Sequence, residues 1–258
     1  MLKRAKTAGV LPALVAAAGV QAQVERGFVP KELELDGITY RYQVFVPESW
    51  SPLQEWPVIL FLHGAGERGT DGVRQTEVGL GPAIRRNPGA FPALVVMPQC
   101  RRGVWWSEPA MEALVMEALD RTVREYRGDP DRVYLTGLSM GGYGTFHFAA
   151  RYPQRFAALA PVCGGAVPPQ RLREGGPAPG EDPYRELAER IRGIPVWIFH
   201  GDQDRTVPVS ESRKMYKALQ EAGAAVKYTE YSGVGHNSWD RAYSEPALVT
   251  WLLEKRKR

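Results

Sequence analysis

The sequence predicts an α/β fold, with a mostly parallel central sheet and helices on both of its faces. Two observations carry this prediction. Short, continuous apolar runs recur along the chain, as they do in strands that are buried on both faces. Stretches with helical patterning separate these runs. Buried strands that alternate with amphipathic helices indicate a parallel sheet covered on both sides.

The predicted strands begin with an antiparallel pair. Residues 31–35 and 40–46 alternate apolar and polar side chains, as two half-buried strands would. The next run, PVILFLH at 57–63, is apolar almost throughout and suits a strand buried on both faces. The remaining predicted strands share this style and lie at 94–97, 132–136, 157–160, 195–199 and 226–231.

The predicted helices fill the intervals between the strands. They lie at 111–126, 142–151, 184–191, 212–222 and 246–255. Ser210 or Ser212 is a candidate N-cap for the fourth of them, because a serine hydroxyl can accept from the first free amides of a helix. Residues 164–183 are rich in glycine and proline and are predicted to form a surface loop.

The first 22 residues have the three-part layout of a secretory signal. Lys3, Arg4 and Lys6 give a positive start, residues 10–20 are apolar, and Val20-Gln21-Ala22 offers small residues for cleavage. The apolar stretch is too short to span a bilayer comfortably. We therefore expect a signal peptide at 1–22, a single domain at 23–258 and no stable membrane insertion after cleavage.

Composition excludes several classes of protein. The 44% hydrophobic and 24% charged fractions of the 258 residues are ordinary for a globular chain, which excludes disordered and collagen-like proteins. Removal of the signal would take away three basic and no acidic residues, so the net charge of +4 would fall to +1. The basicity therefore belongs mostly to targeting, and no nucleic-acid partner is predicted.

The two cysteines are expected to be free, buried thiols. Cys100 and Cys163 each follow a predicted strand, and the usual order of strands in such a sheet places two other strands between them. Neighbouring strands lie about 4.8 Å apart, so the two Cα atoms would be roughly 14 Å apart. A disulfide requires them to lie within about 7 Å.

Ser139 is the candidate nucleophile. It stands in the run GLSMG at 137–141, directly after the predicted strand 132–136 and before a helix. The Gly-x-Ser-x-Gly pattern alone arises by chance fairly often, but the strand–turn–helix context makes it specific. The turn is too tight for flanking side chains, and a helix N-terminus favours the negative charge that develops at the serine.

A serine nucleophile needs a base, and the chain has four histidines to supply it. His63 and His200 end strands and are expected to shape loops, whereas His147 lies two turns into the helix behind Ser139. In this type of fold the order along the chain is nucleophile, acid, histidine. Only His236 follows both the serine and the candidate acids, so it is the predicted base.

Two aspartates compete for the role of the acid that orients His236. Asp202 and Asp204 both lie in the turn after the predicted strand 195–199. The acid must hold the imidazole tautomer and stabilise the imidazolium. Spacing alone does not separate the two residues.

The oxyanion hole requires two backbone N–H donors aimed at one point. Met140, the residue after the nucleophile, is one predicted donor. The other is expected from the loop HGAGERG at 63–69, with Ala65 first and Gly66 next. The chain lacks the phosphate-loop and dinucleotide patterns and any metal-ligand spacing, so neither a cofactor nor a metal is predicted.

Three tryptophans are candidates for a substrate pocket. Trp105 and Trp106 follow the end of a strand, and Trp239 lies three residues past His236. Aromatic side chains at this edge line an acyl or aryl pocket or simply pack the loops, and the sequence leaves both interpretations open.

These motifs together resemble the phospholipase/carboxylesterase branch of the α/β-hydrolases, especially exported bacterial members described as predicted peptidases or feruloyl-type esterases. The resemblance spans roughly residues 30–255. The matching runs are LHGAGERG at 62–69, PQC at 98–100, GLSMGG at 137–142, PVCGG at 161–165, HGDQD at 200–204 and GH at 235–236.

The resemblance implies an α/β-hydrolase fold without a large cap domain. It also implies that the second aspartate of the HGDQD run, Asp204, is the acid. Residues 164–183 depart from the smallest members of the branch and form either a short lid or a longer connection.

The resulting expectation is an exported, periplasmic or secreted bacterial serine esterase. It would act through an acyl-enzyme on short-chain acyl, feruloyl or other aryl esters, either small or linked to polysaccharide. A serine peptidase of the same fold and a non-catalytic binding module are the alternatives.

Overall fold

The computed structural model describes residues 24–168 and 182–257. The predicted signal peptide at 1–22 and the middle of the predicted loop at 164–183 lie outside the described residues. The strands are β1 (Gly27–Leu35), β2 (Ile38–Val46), β3 (Trp56–Leu62), β4 (Leu94–Pro98), β5 (Gly128–Leu138), β6 (Ala158–Val162), β7 (Val196–Gly201) and β8 (Val226–Tyr231). The helices are α1 (Leu80–Arg86), α2 (Pro109–Glu125), α3 (Met140–Arg151), α4 (Pro183–Ile191), α5 (Ser210–Glu221), α6 (Trp239–Ala242) and α7 (Pro246–Leu253).

The strands form one sheet in the order β1-β2-β4-β3-β5-β6-β7-β8. Strand β2 runs antiparallel to both β1 and β4, and all the other neighbours are parallel. The predicted antiparallel opening pair and the predicted parallel sheet are both confirmed.

Both faces of the sheet are covered. Neighbouring residues of a strand point to opposite sides of the sheet, so each strand contributes side chains to both layers. In β3, Leu60 packs in the core cluster on one face, whereas Ile59 and Phe61 pack in the cluster on the other. Helices α2–α5 cover the first face, with Leu114, Phe146, Ile191, Met215 and Leu219. Helices α1, α6 and α7 cover the second, with Ile84, Ala242, Leu248, Trp251 and Leu252.

Helices α1 and α6 were not predicted from the sequence, and the N-cap predicted for the fourth helix is wrong. Helix α1 contains Gly81 and Pro82, which obscure its pattern; a Cβ at Gly81 would lie 2.1 Å from the Thr76 carbonyl oxygen. Helix α6 has only four residues. The fourth predicted helix begins at Ser210 itself without a side-chain cap, and Ser212 is buried with its hydroxyl on another partner.

The cysteines lie as expected. Strands β3 and β5 separate the strand before Cys100 from the strand before Cys163, and both thiols are free and buried. Within the part of the chain that the structure describes, no helix combines the length and the apolar character needed to cross a membrane.

The register of the parallel strands brings the loops that carry the predicted site residues to one edge of the sheet. Leu62 pairs with Gly137, Leu138 with Val162, and Gly201 with Tyr231. The loops that follow these residues therefore leave the sheet side by side at its carboxyl edge. Sites in open parallel sheets form at this edge.

Candidate active site

The turn between β5 and α3 forces Ser139 into an unusual backbone conformation. Its φ is 52° and its ψ is −115°, a region that costs energy for any residue with a side chain. A Cβ at Gly137 would lie 2.3 Å from the Gly141 carbonyl oxygen, and a Cβ at Gly141 would lie 1.9 Å from that of Leu62. Both flanking glycines are therefore required by close backbone contact.

Three side chains from three different loops meet at this turn. His236 Nε2 lies 2.9 Å from Ser139 Oγ, and His236 Nδ1 lies 2.7 Å from Asp204 Oδ2. Ser139 and His236 are partly exposed, whereas the carboxylate of Asp204 is buried. The structure thus brings together the three residues that the sequence analysis named as nucleophile, base and acid.

The two competing aspartates have different surroundings. Asp204 Oδ1 accepts from the amides of Thr206 and Val207 at 2.8 and 2.9 Å, which leaves Oδ2 for His236. Burial on its own would raise the pKa of Asp204, but hydrogen bonds from two imidazoles and a backbone amide outweigh it and hold the pKa far below its usual range. Asp202 instead accepts from the amide of Gly233 at 2.8 Å and shapes the turn.

The two predicted oxyanion donors both open helical turns. Met140 is the first residue of α3, and Ala65 is the first residue of a 3-10 turn, Ala65–Glu67. The first amides of a helix have no acceptor within it. Among the described residues, no hydrogen bond uses the N–H of either Met140 or Ala65. Gly66 is exposed, and a Cβ there would meet no atom within 4 Å.

A buried histidine holds the loop that carries Ala65. His63 is fully buried, with Nδ1 2.6 Å from the Gly64 carbonyl oxygen and Nε2 2.9 Å from the Cys100 amide. Trp106 is equally buried and donates its indole N–H to the His63 carbonyl at 3.0 Å. Because that N–H is engaged, Trp106 can offer a substrate only its ring.

The other two tryptophans have different aromatic neighbours. Trp239 packs edge-on against His236, with ring centroids 5.2 Å apart, and so supports the imidazole. Trp105 packs edge-on against Tyr143 at 6.1 Å. Tyr143 belongs to the first turn of α3, directly after Ser139, and the sequence analysis missed it.

A cavity of about 350 Å³ runs alongside α3 and α4. Trp105 and Tyr143 lie in its wall. Most of its other walls are apolar and include Trp106, Phe146, Ala150, Val167 and Leu187. As far as the described residues show, Ser139 and His236 do not line it. The cavity therefore does not enclose the reacting atoms, and Tyr143, four residues after Ser139, is the lining residue nearest to the nucleophile along the chain.

A thiol lies behind the three side chains. The ligand atoms of Cys163, Asp204 and His236 lie within 4.8 Å of one another, which is compact enough for a cation. Asp204 and His236 are nevertheless hydrogen-bonded to each other. Burial raises the pKa of the Cys163 thiol far above its usual range. A neutral thiol is a poor metal ligand. Asp204 and His236 are instead hydrogen-bonded in one path with Ser139. The backbone of Cys163 has a φ of 41°, a signal that the sequence does not carry.

Comparisons with known proteins show the family and the fold. A family model described as the dienelactone hydrolase family matches residues 98–245. The crystal structure of a thermostable esterase is 34% identical, with a TM-score of 0.76, over 89% of this chain and 63% of the esterase.

Two curated relatives add to the picture. Carboxylesterase SOBER1 of Arabidopsis thaliana is 25% identical over 220 residues, which cover 77% of this chain and 90% of the relative. An uncharacterized secreted protein of Arthroderma benhamiae is 30% identical over 207 residues, or 70% of this chain. The aligned part is only 21% of that relative, so this chain spans about a fifth of its length.

Proposed function

We propose that this chain, which belongs to the dienelactone hydrolase family of the α/β-hydrolases, is an ester-hydrolysing enzyme of the carboxylesterase type and cleaves carboxylic esters through an acyl-enzyme on Ser139. The observation that carries the proposal is the unbroken path of hydrogen bonds from Ser139 through His236 to Asp204. A serine hydroxyl is a weak nucleophile until such a base removes its proton.

The proposed reaction has two halves. Ser139 Oγ attacks the ester carbonyl while His236 Nε2 takes the hydroxyl proton, and Asp204 stabilises the imidazolium that forms. The N–H groups of Met140 and Ala65 bind the oxyanion of the tetrahedral intermediate. His236 then protonates the departing alcohol. A water molecule, deprotonated by the same imidazole, attacks the acyl-enzyme and releases the acid and free Ser139.

The test is removal of the nucleophile. We expect Ser139→Ala to lower kcat for p-nitrophenyl butyrate by roughly 10⁴-fold or more. Ser49→Ala, which changes an exposed serine away from the site, is the matched control and should behave as wild type. Wild-type turnover by Ser139→Ala would refute the proposal.

For the substrate, we propose esters with a short or aromatic acyl group, either small or carried on a polysaccharide. The support is the apolar cavity beside α3, whose size falls within the range of small-molecule pockets. Trp105→Ala should raise KM for methyl ferulate by roughly tenfold and change KM for p-nitrophenyl acetate little. If the two KM values changed equally, Trp105 would have no role in recognising the acyl group.

We further propose that ester bonds are preferred to amide bonds, which the esterase names of the relatives support. Turnover of p-nitrophenyl butyrate should exceed that of the matching p-nitroanilide by several orders of magnitude. Comparable turnover of the two would favour a peptidase.

Export from the cell is the last part of the proposal. It is supported by the charge and apolar layout of residues 1–22 and by the printed name of the secreted relative. Expression of the full chain in a bacterium should yield an exported protein that begins at Gln23, as read by N-terminal sequencing. An intact N-terminus on the exported protein would contradict cleavage at Ala22.

A further inference from the structure

Besides His236, a second histidine contacts the carboxylate of Asp204. His200, the fifth residue of β7, is fully buried. Its Nε2 lies 3.0 Å from the Val207 carbonyl oxygen and 3.2 Å from Asp204 Oδ2. Its Nδ1 lies 2.6 Å from the Ser212 hydroxyl. The same carboxylate oxygen therefore faces two imidazoles, one from His200 and one from His236.

The partners fix where the hydrogens of His200 lie. The Val207 carbonyl and the Asp204 carboxylate only accept, so Nε2 must carry a hydrogen. This one N–H is hydrogen-bonded to the Val207 carbonyl oxygen, and Asp204 Oδ2 lies beside that bond at the longer N···O distance. A neutral ring then has a lone pair on Nδ1, and the Ser212 hydroxyl donates to it. If Nδ1 also carried a hydrogen, Ser212 would have to donate to the Gly164 carbonyl, which lies 3.5 Å away. That is a poor distance for a hydroxyl donor, so the neutral ring fits best.

We propose that His200 is a positioning residue, which holds the Asp204 carboxylate in place and, by donating to the oxygen that faces His236, limits how tightly His236 retains a proton. The inference rests on the triad of the proposed function. Ser212 orients the His200 ring through its hydroxyl.

The physical reason is competition for one oxygen. A carboxylate that already accepts an N–H carries less negative charge toward its other partner. Without the His200 donor, Oδ2 would attract the imidazolium of His236 more strongly, and a neutral base would form only at higher pH. The low pKa of Asp204, to which His200 contributes, agrees with this donation.

Several other charged or titratable groups lie near His200 and Asp204. They are Glu230 on β8, paired with Arg213 on α5, Glu211 on α5, paired with the Tyr184 hydroxyl on α4, and Cys163 and Tyr143 near Asp204. The Arg213 guanidinium lowers the pKa of Glu230 to about 2. Burial moves the pKa values of Cys163 and Tyr143 far above neutrality. Glu230, Cys163 and Tyr143 therefore keep their charge states between pH 5 and 8.

Two variants of His200 separate donation from packing. His200→Leu fills the space without a donor, whereas His200→Gln keeps an N–H close to the position of Nε2. The protonation of His236 is followed by ¹⁵N NMR of histidine-labelled resting protein, a readout that requires no turnover. The pH profile of kcat/KM for p-nitrophenyl butyrate is measured in parallel.

We expect His200→Leu to move both the His236 titration and the acid limb of kcat/KM upward by about one pH unit. His200→Gln should restore both to within about 0.3 pH unit of wild type. A folded His200→Leu protein with the wild-type titration would overturn the inference, and so would an equal shift in both variants. If the wild-type protein hydrolyses no ester, the proposed function fails, while the NMR titration still decides the role of His200.

Ser212 provides the test if His200→Leu does not fold. Ser212→Ala removes the donor to Nδ1 and so weakens the Nε2 hydrogen as a donor to Asp204. The His236 titration should then move upward by a few tenths of a pH unit, and Ser212→Thr, which keeps a hydroxyl, should restore it. An unmoved titration in Ser212→Ala would overturn the inference.

Discussion

The loops after β3 and β7 begin alike and serve the site in opposite ways. A fully buried histidine followed by glycine leads into each of them: His63-Gly64 comes directly after β3, and His200-Gly201 forms the end of β7. His63 donates a hydrogen bond from Nδ1 to the Gly64 carbonyl and accepts one at Nε2 from the Cys100 amide. His200 has the opposite tautomer, with the hydrogen on Nε2 toward Val207 and Asp204.

The two loops contribute different chemical groups to the proposed reaction. The β3 loop presents a backbone N–H at Ala65, and its histidine holds only backbone groups. The β7 loop presents a side chain, Asp204, and its histidine contacts that side chain directly. We therefore expect the β3 loop to be sensitive to changes of the backbone and the β7 loop to be sensitive to changes of side-chain chemistry.

The largest expected effect is on the acid of the β7 loop. Asp204→Asn should lower kcat by roughly 10⁴-fold, because an amide facing His236 favours the wrong imidazole tautomer. Asp202→Asn is the matched control in the same turn, and we expect it to stay within about threefold of wild type. Steady-state kinetics on p-nitrophenyl butyrate measure both. Similar losses in the two variants would contradict the assignment of Asp204 as the acid.

The next effect concerns the backbone of the β3 loop. Ala65→Pro deletes the N–H at the first position of a helical turn, where the ring is sterically tolerated. We expect kcat to fall by roughly 10²- to 10³-fold with little change in KM, as for other lost oxyanion donors. Ala65→Gly keeps the N–H and should lose far less. If both variants kept wild-type kcat, the second donor would have to lie elsewhere in the loop.

A smaller effect is expected on stability where the β7 loop meets the loop of His236. A Cβ at Gly201 would lie 2.3 Å from the Val234 carbonyl oxygen and 2.5 Å from that of Gly235. Gly201→Ala should therefore lower the free energy of unfolding by about 2–3 kcal/mol, as measured by urea denaturation. Gly66→Ala, where the space is open, is the control and should change it by less than about 1 kcal/mol. Equal stabilities would contradict the close approach of the two loops.

The smallest effect is a pH dependence of stability that arises from His63. Burial lowers the pKa of His63 from its ordinary 6.5 to about 4. As the pH falls, the imidazole of His63 therefore takes up a proton in the unfolded chain before it does so in the folded one. The contribution of the neutral ring to the unfolding free energy is complete above pH 6.5 and is lost as the pH falls toward 4. Between pH 7 and pH 5, wild type should lose about 2 kcal/mol more of its unfolding free energy than His63→Gln. Parallel pH dependences of the two proteins would contradict a neutral, buried His63.

The sheet and the tight turn around Ser139 could be predicted from the sequence, because their signals are local. Continuous apolar runs mark strands buried on both faces, as in β3. The glycines at 137 and 141 are required by backbone contacts closer than any side chain allows. The position of His236 followed from chain order, which the topology of the fold imposes.

Other features depend on contacts that no local pattern records. Asp202 and Asp204 differ only in which amides and imidazoles surround them, so the choice between them depended on resemblance. Ser212 has the sequence signature of a helix cap, but packing turns its hydroxyl toward His200. The short helix α1 was hidden by its own glycine and proline.

The most direct test of the central claim, that Ser139 is the nucleophile, is to locate a covalent adduct. The protein is treated with a fluorophosphonate probe, digested and mapped by mass spectrometry. We expect a single stoichiometric adduct on the peptide that contains Ser139, and no adduct in Ser139→Ala. Labelling at another residue, or full labelling of the Ser139→Ala protein, would contradict the account.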